Sequence, residues 1–532
     1  MARFGPQDDA ITLRFGGGIN SRASEDEINP RECATGQNFQ LDLDNRTFRN
    51  RKPFDLVFTA PNEGQINGFI SLLKTDGTVA MAVQAGDTVY EWDGTTASQI
   101  FHPVSTDARL RGRLEHNFQL DDKVIVTDVA LQDPVYEWDG TTFQATTFLS
   151  SPSGTFGQFK AKYCAVQNER AFFGHIGGTG AGGTFEHMIV GSKRGEFETI
   201  SSTVRASAAS TTDPFFLLQP DLGAINGLAL AFETLVTSSD KGSMFKITGS
   251  ENADRFTITP LYPRSAATGR EAVAYVGNDI HFGRQGRIES LIATDQFGDV
   301  EVDDLSRLIS PDIEDYDEWI INYNSRLQRV YCLPPEKGEL WVLQKQLLAG
   351  ELSPWSRWVT THPINFDPTA IMSCLDPDDG LEYVFFGDAS GNVYRLEGTG
   401  TDGDGGTDAI RTNRTSGLFK AELNAEVYNV EGWVLARRGQ AVGVRVQMLY
   451  AGERIFDADA SVEIPAADIS SVYGGTAYYG GTDYYEATFR GRLVRRKFTI
   501  PAGSTEFQVR VETNTDDDIE IIEIGLRFSE AA

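Results

Sequence analysis

Residues that could do chemistry are few and badly spaced. The six histidines, His102, His116, His175, His187, His281 and His362, include no H-E-x-x-H pair, so spacing assembles neither a zinc hydrolase nor a nucleophilic triad. The G-x-S-x-G and P-loop patterns are absent. Gly178-Thr179-Gly180-Ala181-Gly182-Gly183 satisfies G-x-G-x-x-G, but the β-like run Thr184–Val190 follows it where a phosphate-binding helix should start, so it reads as a loop. The carboxylate pairs Asp303-Asp304 and Asp378-Asp379 could serve a glycosidase, yet in so acidic a chain they read as solvated surface. Asp402 to Asp408 resembles a calcium loop without its twelfth-position glutamate and reads as a linker. Cys33, Cys164, Cys332 and Cys374 are far apart, as buried thiols would be. The expectation is a protein that is not an enzyme, with no cofactor, no metal and no catalytic residue.

Charge narrows the partners. Across 532 residues, 47 Lys and Arg stand against 76 Asp and Glu, a formal net charge of −29. Such a surface repels phosphate over most of its area, which disfavours a general nucleic-acid binder. No run approaches the 18 apolar residues of a membrane span and the start lacks an apolar signal region, so the expectation is a soluble chain made in the cytosol without membrane insertion. Two basic clusters run against the general charge: Arg46, Arg49, Arg51 and Lys52, and Arg490, Arg492, Arg495, Arg496 and Lys497. Either they dock an acidic neighbour or they form the wet face of edge strands. A tandem hexad, Tyr473 to Tyr478 and Tyr479 to Tyr484, joins glycine turns to amphipathic rings, suiting a protein-facing loop or a self-packed hairpin. The candidate assembly contacts are Arg49, Arg51, Lys52, Arg492, Arg495, Arg496, Tyr478, Tyr479 and Tyr484.

The elements that must carry these residues are strands. Period-2 alternation with frequent turn signals runs from about residue 65 to 397. Val89-Tyr90-Glu91-Trp92-Asp93-Gly94-Thr95-Thr96 recurs unchanged at Val135 to Thr142, an offset of 46 residues. Asp-Gly between β-formers predicts a two-residue type I′ hairpin, and the offset matches one four-stranded propeller blade. Degenerate modules follow at Cys164–Gly174, Ile225–Gly249, Ala272–Ala293, Ile320–Leu343 and Ala370–Glu397, seven in all, with Gly177–Gly183 and Ser201–Pro220 read as insertions. Trp92 and Trp138 should pack between sheets. The fold class is all-β: a degenerate β-propeller of six to eight blades, with two stacked sandwiches as the alternative. The domains are an extended N-terminal arm (1–60), the propeller (61–397), a Gly/Asp-rich linker (398–408) and a C-terminal β-sandwich-like domain (409–532). In the last, Val442, Val444, Val446, Met448 and Tyr450, then Phe507, Val509 and Val511, then Ile522, Ile524, Leu526 and Phe528 alternate as core faces.

Phe15-Gly16-Gly17-Gly18-Ile19-Asn20, then Pro30, Glu32, Gln37-Asn38-Phe39, Arg49-Asn50-Arg51-Lys52-Pro53 and later Ser353-Pro354-Trp355-Ser356-Arg357-Trp358 form an ordered set. This order resembles tail nozzle and tail tube proteins of short-tailed bacteriophages, over about residues 11 to 397. Pro53 stands where that family often has Gly, and the resemblance does not extend into 409–532. It implies a structural virion protein of the tail, made in the host cytoplasm. Such a protein assembles as a homo-oligomeric ring, expected to be a hexamer, beneath the portal and adaptor, and helps close and extend the DNA ejection channel. DNA would pass without specific binding, as an acidic lumen favours. The alternatives are a carbohydrate-binding or glycan-cleaving propeller, using a carboxylate pair and the aromatic residues around Trp355 and Trp358, and a monomeric interaction scaffold.

Overall fold

The computed structural model describes the chain except at 1–2, 5–10, 25–26, 42–47, 113–118, 121, 152–158, 179–184, 202–214, 219–222, 232–233, 242, 249–256, 263–266, 268–270, 278, 294–299, 336, 351, 360–367, 399–409, 418, 422–426, 439–441, 450–459, 465–493, 505, 515–519 and 531–532. Beyond residue 417 only the backbone is described, apart from 508–513, 521 and 524.

Alternating apolar residues between turn signals make short antiparallel strands, and these group in fours. Sheet 1 is Ile66–Leu73, Val79–Ala85, Thr88–Trp92 and Ala97–Phe101; sheet 2 is Leu110–Gly112, Lys123–Asp128, Tyr136–Trp138 and Phe143–Ala145. Because Leu110–Gly112 pairs in parallel with Ile66–Leu73 and Gln119–Leu120 adds to Lys123–Asp128, the two are halves of one nine-stranded sheet. Sheet 3 is Phe159–Gln167, Arg170–Gly178, Phe185–Gly191 and Phe215–Leu218; sheet 4 is Ile225–Ala231, Thr234–Ser239, Ser243–Thr248 and Thr257–Tyr262. Sheet 5 is Val273–Tyr275, Asp279–Arg284, Arg287–Ala293 and Val300–Asp304; sheet 6 is Ile320–Asn324, Arg329–Leu333, Glu339–Gln344 and Trp355–Val359. Sheet 7 takes Ala370–Leu375, Glu382–Gly387 and Asn392–Arg395 from one part of the chain and its outer strand, Asp55–Thr59, from another.

The first strands pack in sequence around a closed circuit that returns from sheet 7 to sheet 1, with Lys123–Asp128 bridging sheet 2 to sheet 3. Five separate four-stranded sheets and the two halves of the nine-stranded one, closed in this way, form a β-propeller. The strand 55–59 seals the ring non-covalently, so the propeller runs from 55 to 395 rather than from 61 to 397. Part of the segment read as an insertion, Phe215–Leu218, is the fourth strand of sheet 3.

Burial follows the seams between sheets. Trp92 and Trp138 stand at equivalent places, on the third strands of sheets 1 and 2, and both are buried. Each sheet has two faces to cover and no core of its own, so only stacking against neighbours removes these apolar surfaces from water.

The Asp-Gly turns differ from the expected type. Trp92 pairs with Ala97 and Trp138 with Phe143, so each loop has four residues, and of these only Gly94 (φ +99°) and Gly140 (φ +82°) are left-handed. The aspartate closes the loop with its side chain: Asp93 Oδ1 accepts from Thr95 N–H at 2.9 Å and Thr96 N–H at 2.7 Å, and Asp139 Oδ1 accepts from Thr141 and Thr142 at 2.8 and 2.7 Å. A carboxylate that captures two amides stands in for the backbone geometry of a type I′ turn.

The N-terminal segment is not a free arm. Thr35–Gln37 pairs with Arg411–Thr415, Ile11–Arg14 with Glu520–Glu530, and Phe48–Asn50 with both Phe39–Leu41 and the start of Glu520–Glu530. These strands complete the two sheets of the C-terminal unit, whose longest members are Val427–Arg438, Val494–Ser504, Glu506–Asn514 and Glu520–Glu530. Val509, Val511, Ile521 and Ile524 share one apolar core with Phe39 and Leu41, and that core continues into sheets 5 and 6. Ile521 is also among its buried members, while the side chains of Ile522, Leu526 and Phe528 lie outside the described residues.

Candidate functional site: a three-way junction and a crossed axis

Sheet 6 ends on an outer strand, Trp355–Val359, whose free edge would otherwise offer unpaired backbone groups. The N-terminal segment covers it. Gly18 N–H donates to Ser353 O at 2.7 Å, Ile19 N–H to Trp355 O at 2.9 Å and Asn38 N–H to Arg357 O at 2.7 Å, while Val359 N–H donates to Asn38 Oδ1 at 2.7 Å. A Cβ on Gly18 would lie 1.9 Å from the Trp355 carbonyl oxygen, so only glycine allows this approach. Asn38 sits at φ +58°, a conformation its short polar side chain tolerates.

Around this seam the polar groups are buried and paired. Glu32 accepts from Asn20 Nδ2 at 2.9 Å and from Ser353 N–H at 2.5 Å. The indoles of Trp355 and Trp358 donate to Leu305 O at 2.8 Å and Phe39 O at 3.0 Å. The third party is the C-terminal unit: Asn38 Nδ2 donates to Arg411 O at 3.0 Å, Thr412 Oγ1 to Asn38 O at 3.1 Å and Thr513 Oγ1 to Asn50 Oδ1 at 2.9 Å. Arg414 lies over the rings of Phe15 and Phe39, at 5.0 and 5.8 Å. Propeller, N-terminal segment and C-terminal unit therefore meet at Asn38.

The junction changes the reading of several candidates. Arg51 is 1% exposed: it donates from Nε to Asn38 Oδ1 at 2.9 Å, from Nη1 to Lys52 O and from Nη2 to Val359 O, and it lies 4.0 Å from the Phe54 ring centroid. A guanidinium spent inside the fold is not an assembly contact. Arg49 is half-buried, and Lys52 is exposed. Arg495 and Arg496 lie on Val494–Ser504, paired with Leu435 and Val434, and their side chains lie outside the described residues, as do Arg492, Tyr478, Tyr479 and Tyr484. The loop 179–184 and the linker 402–408 also lie outside them. Trp355 and Trp358, nominated to hold a sugar, are 0% and 1% exposed and cannot stack on one.

A constellation missed in the sequence lies in sheet 5. His281 Nε2 is 3.0 Å from Asp279 Oδ2, and Ser290 stands directly opposite His281 in the strand register. These are the residue types of a nucleophilic triad, but His281 and Ser290 are wholly enclosed, so no substrate reaches them. Among the described residues, no group of three His, Cys, Asp or Glu could hold a metal ion.

The axis of the ring is crossed. Arg111, on the first strand of sheet 2, makes a two-pronged contact with Glu271, at the start of sheet 5: Nη2 donates to Oε2 at 2.8 Å and Nε to Oε1. Both side chains are almost wholly buried. Sheets 2 and 5 are not neighbours, so the contact spans the interior of the ring. Glu271 also adds to burial in raising the pKa of Tyr163, on the first strand of sheet 3.

No protein-family model matches the chain, and no curated protein matches it. Among solved structures it is similar to the computationally designed Ika8 protein, at 13% identity over 65% of this chain and 99% of that one, with a TM-score of 0.34. It is also similar to YCF48 bound to a D1 peptide (13% identity, 65% and 96% coverage, TM-score 0.39) and to the N-terminal domain of Nup159 (9%, 65% and 94%, 0.38). Likenesses at these identities concern the fold alone, and the propeller assignment rests on the strand order and ring closure.

Proposed function

We propose that this chain is a structural subunit of a bacteriophage tail, one that assembles with copies of itself into a ring, a nozzle or tube, extending and helping to close the DNA ejection channel. One observation carries the reading. The segments whose order resembles tail nozzle and tube proteins, from Phe15 to Lys52 and from Ser353 to Trp358, converge on one buried junction that fixes the propeller to the C-terminal unit. A rigid two-part body is what a subunit under the pressure of DNA passage requires. The net charge of −29 supports it, because an acidic wall does not grip phosphate.

The DNA path in this reading lies between subunits. The Arg111–Glu271 contact across the ring leaves no route for a duplex along the propeller's own axis. Portal, adaptor and other tail proteins are the neighbours expected.

The test is the mass of the purified protein, alone and mixed with virion proteins from the same source, by light scattering and negative-stain imaging. A closed ring with an open lumen, or incorporation into a tail complex, supports the proposal. A monomer that joins no virion partner overturns it.

A further inference from the structure

Arg111 and Glu271 follow two sheets of the ring that open alike. Ile66-Asn67-Gly68 opens sheet 1 and Ile225-Asn226-Gly227 opens sheet 4, and in both the register shifts at the asparagine. Asn67 Nδ2 donates to Thr106 O at 2.9 Å and Asn226 Nδ2 donates to Ala267 O, each a carbonyl on the segment leading to the next sheet. Each glycine admits that next sheet closely: a Cβ on Gly68 would lie 2.2 Å from Leu110 O, and one on Gly227 would lie 2.9 Å from Val273 Cγ2. The sheets thus positioned, 2 and 5, carry Arg111 and Glu271, 160 residues apart.

Further bonds widen the tie. Arg111 Nη1 donates to Asn67 O at 2.7 Å and Leu110 O at 2.8 Å, and Ile321 N–H donates to Glu271 O at 3.0 Å. One ion pair therefore joins sheets 1 and 2 to sheets 5 and 6. We propose that Arg111 and Glu271 form a cross-axis tie, a conformational device that holds the ring in its seven-sheet closed register. The ring is sealed non-covalently by the strand Asp55–Thr59, which a looser ring could lose or exchange with a second copy. Buried charges suit the task because any closure that separates them leaves each uncompensated, a penalty that apolar residues would not impose. The forked guanidinium–carboxylate geometry adds direction to the attraction.

The test uses the full chain and does not depend on assembly: R111Q, E271Q and R111Q/E271Q, compared by thermal unfolding and by amide hydrogen exchange. Each single variant should lower the melting temperature by several degrees and speed exchange at 110–112 and 271–275 by about tenfold or more, since both segments open together once the tie is cut. The double variant should lose less than the sum of the singles. If R111Q does not fold, R111K keeps the charge, loses the fork and is read in its place. Strictly additive losses, or exchange that quickens in the mutated segment and not in the segment across the axis, would overturn the tie.

Discussion

Arg51 Nε and Asn38 Oδ1 are 2.9 Å apart, and the same oxygen accepts the Val359 N–H at 2.7 Å, so one carboxamide couples the N-terminal segment to the outer strand of sheet 6. Arg51→Ala should destabilise the fold by roughly 2–4 kcal/mol, because it strips donors from buried acceptors and removes the packing on Phe54. Lys52→Glu, on the exposed neighbour, should leave stability within about 0.5 kcal/mol. Denaturant unfolding of both variants checks the contrast. Equal effects would mean that Arg51 does not anchor the junction.

The glycines of the chain are not equivalent. Gly18→Ala should lower the melting temperature sharply and expose the seam to protease, since its Cβ would collide with the Trp355 backbone. Gly77→Ala has open space around it but a φ of +87°, so it should cost only about 1–2 kcal/mol of backbone strain. A Gly18→Ala protein as stable as Gly77→Ala would contradict the docking of 15–20 on sheet 6.

How much of this was legible in sequence depended on whether the signal was local. Trp92-Asp93-Gly94 and its copy at 138–140 marked consecutive blades because the hairpin is encoded within eight residues. The turn type was misread because propensity cannot say whether Asp93 adopts a left-handed backbone or spends its carboxylate on Thr95 and Thr96. Arg51 was misread for a stronger reason: its partners include Val359 O, over 300 residues away, and a run of basic residues looks the same whether it faces water or a carbonyl. The arm was misread because strands as short as Thr35–Gln37 carry no periodicity, and their partners begin at Arg411. The Ile-Asn-Gly pair at 66–68 and 225–227 was within reach and would have flagged matched sheet openings.

Trp138 offers a test of the seam between sheets. It is fully buried, and its indole N–H has no hydrogen-bond partner among the described residues, so its contribution is apolar packing. Trp138→Ala should cost about 3–5 kcal/mol, and Trp138→Phe about 1–2 kcal/mol because no hydrogen bond is lost. Trp92→Ala, at the equivalent place, should match the first figure. A melting temperature unchanged in either alanine variant would undo the blade equivalence.

All four cysteines are buried, and none forms a disulfide. Burial pushes Cys33 up to about 11, an effect that the nearby Arg414 charge only partly offsets, and burial also raises Cys164 and Cys332. The thiolate is the reactive form, so a thiol reagent at pH 8 should label none of the four in the folded protein and all of them in denaturant. Rapid native labelling at Cys33 would show that the junction opens in solution.

Acid should act on the repeated turns late. Asp93 is held well below the usual carboxylate range by the amides and hydroxyls of Thr96 and Thr95, and Asp139 is lowered by the amide of Thr142 and then that of Thr141. A carboxyl that is more acidic in the fold than in the unfolded chain stabilises the fold above the unfolded value, and that contribution is lost as pH falls through the folded one. Both turns should therefore stay intact through the ordinary carboxylate range and loosen only below it. Asp93→Asn keeps one acceptor oxygen but not the charge, so the amides of Thr95 and Thr96 should exchange faster than in the wild type at neutral pH. That difference should narrow only once the pH falls below the ordinary carboxylate range, where the native carboxylate takes up its proton. A gap that stays constant across the titration would mean that Asp93 shapes the turn without its charge.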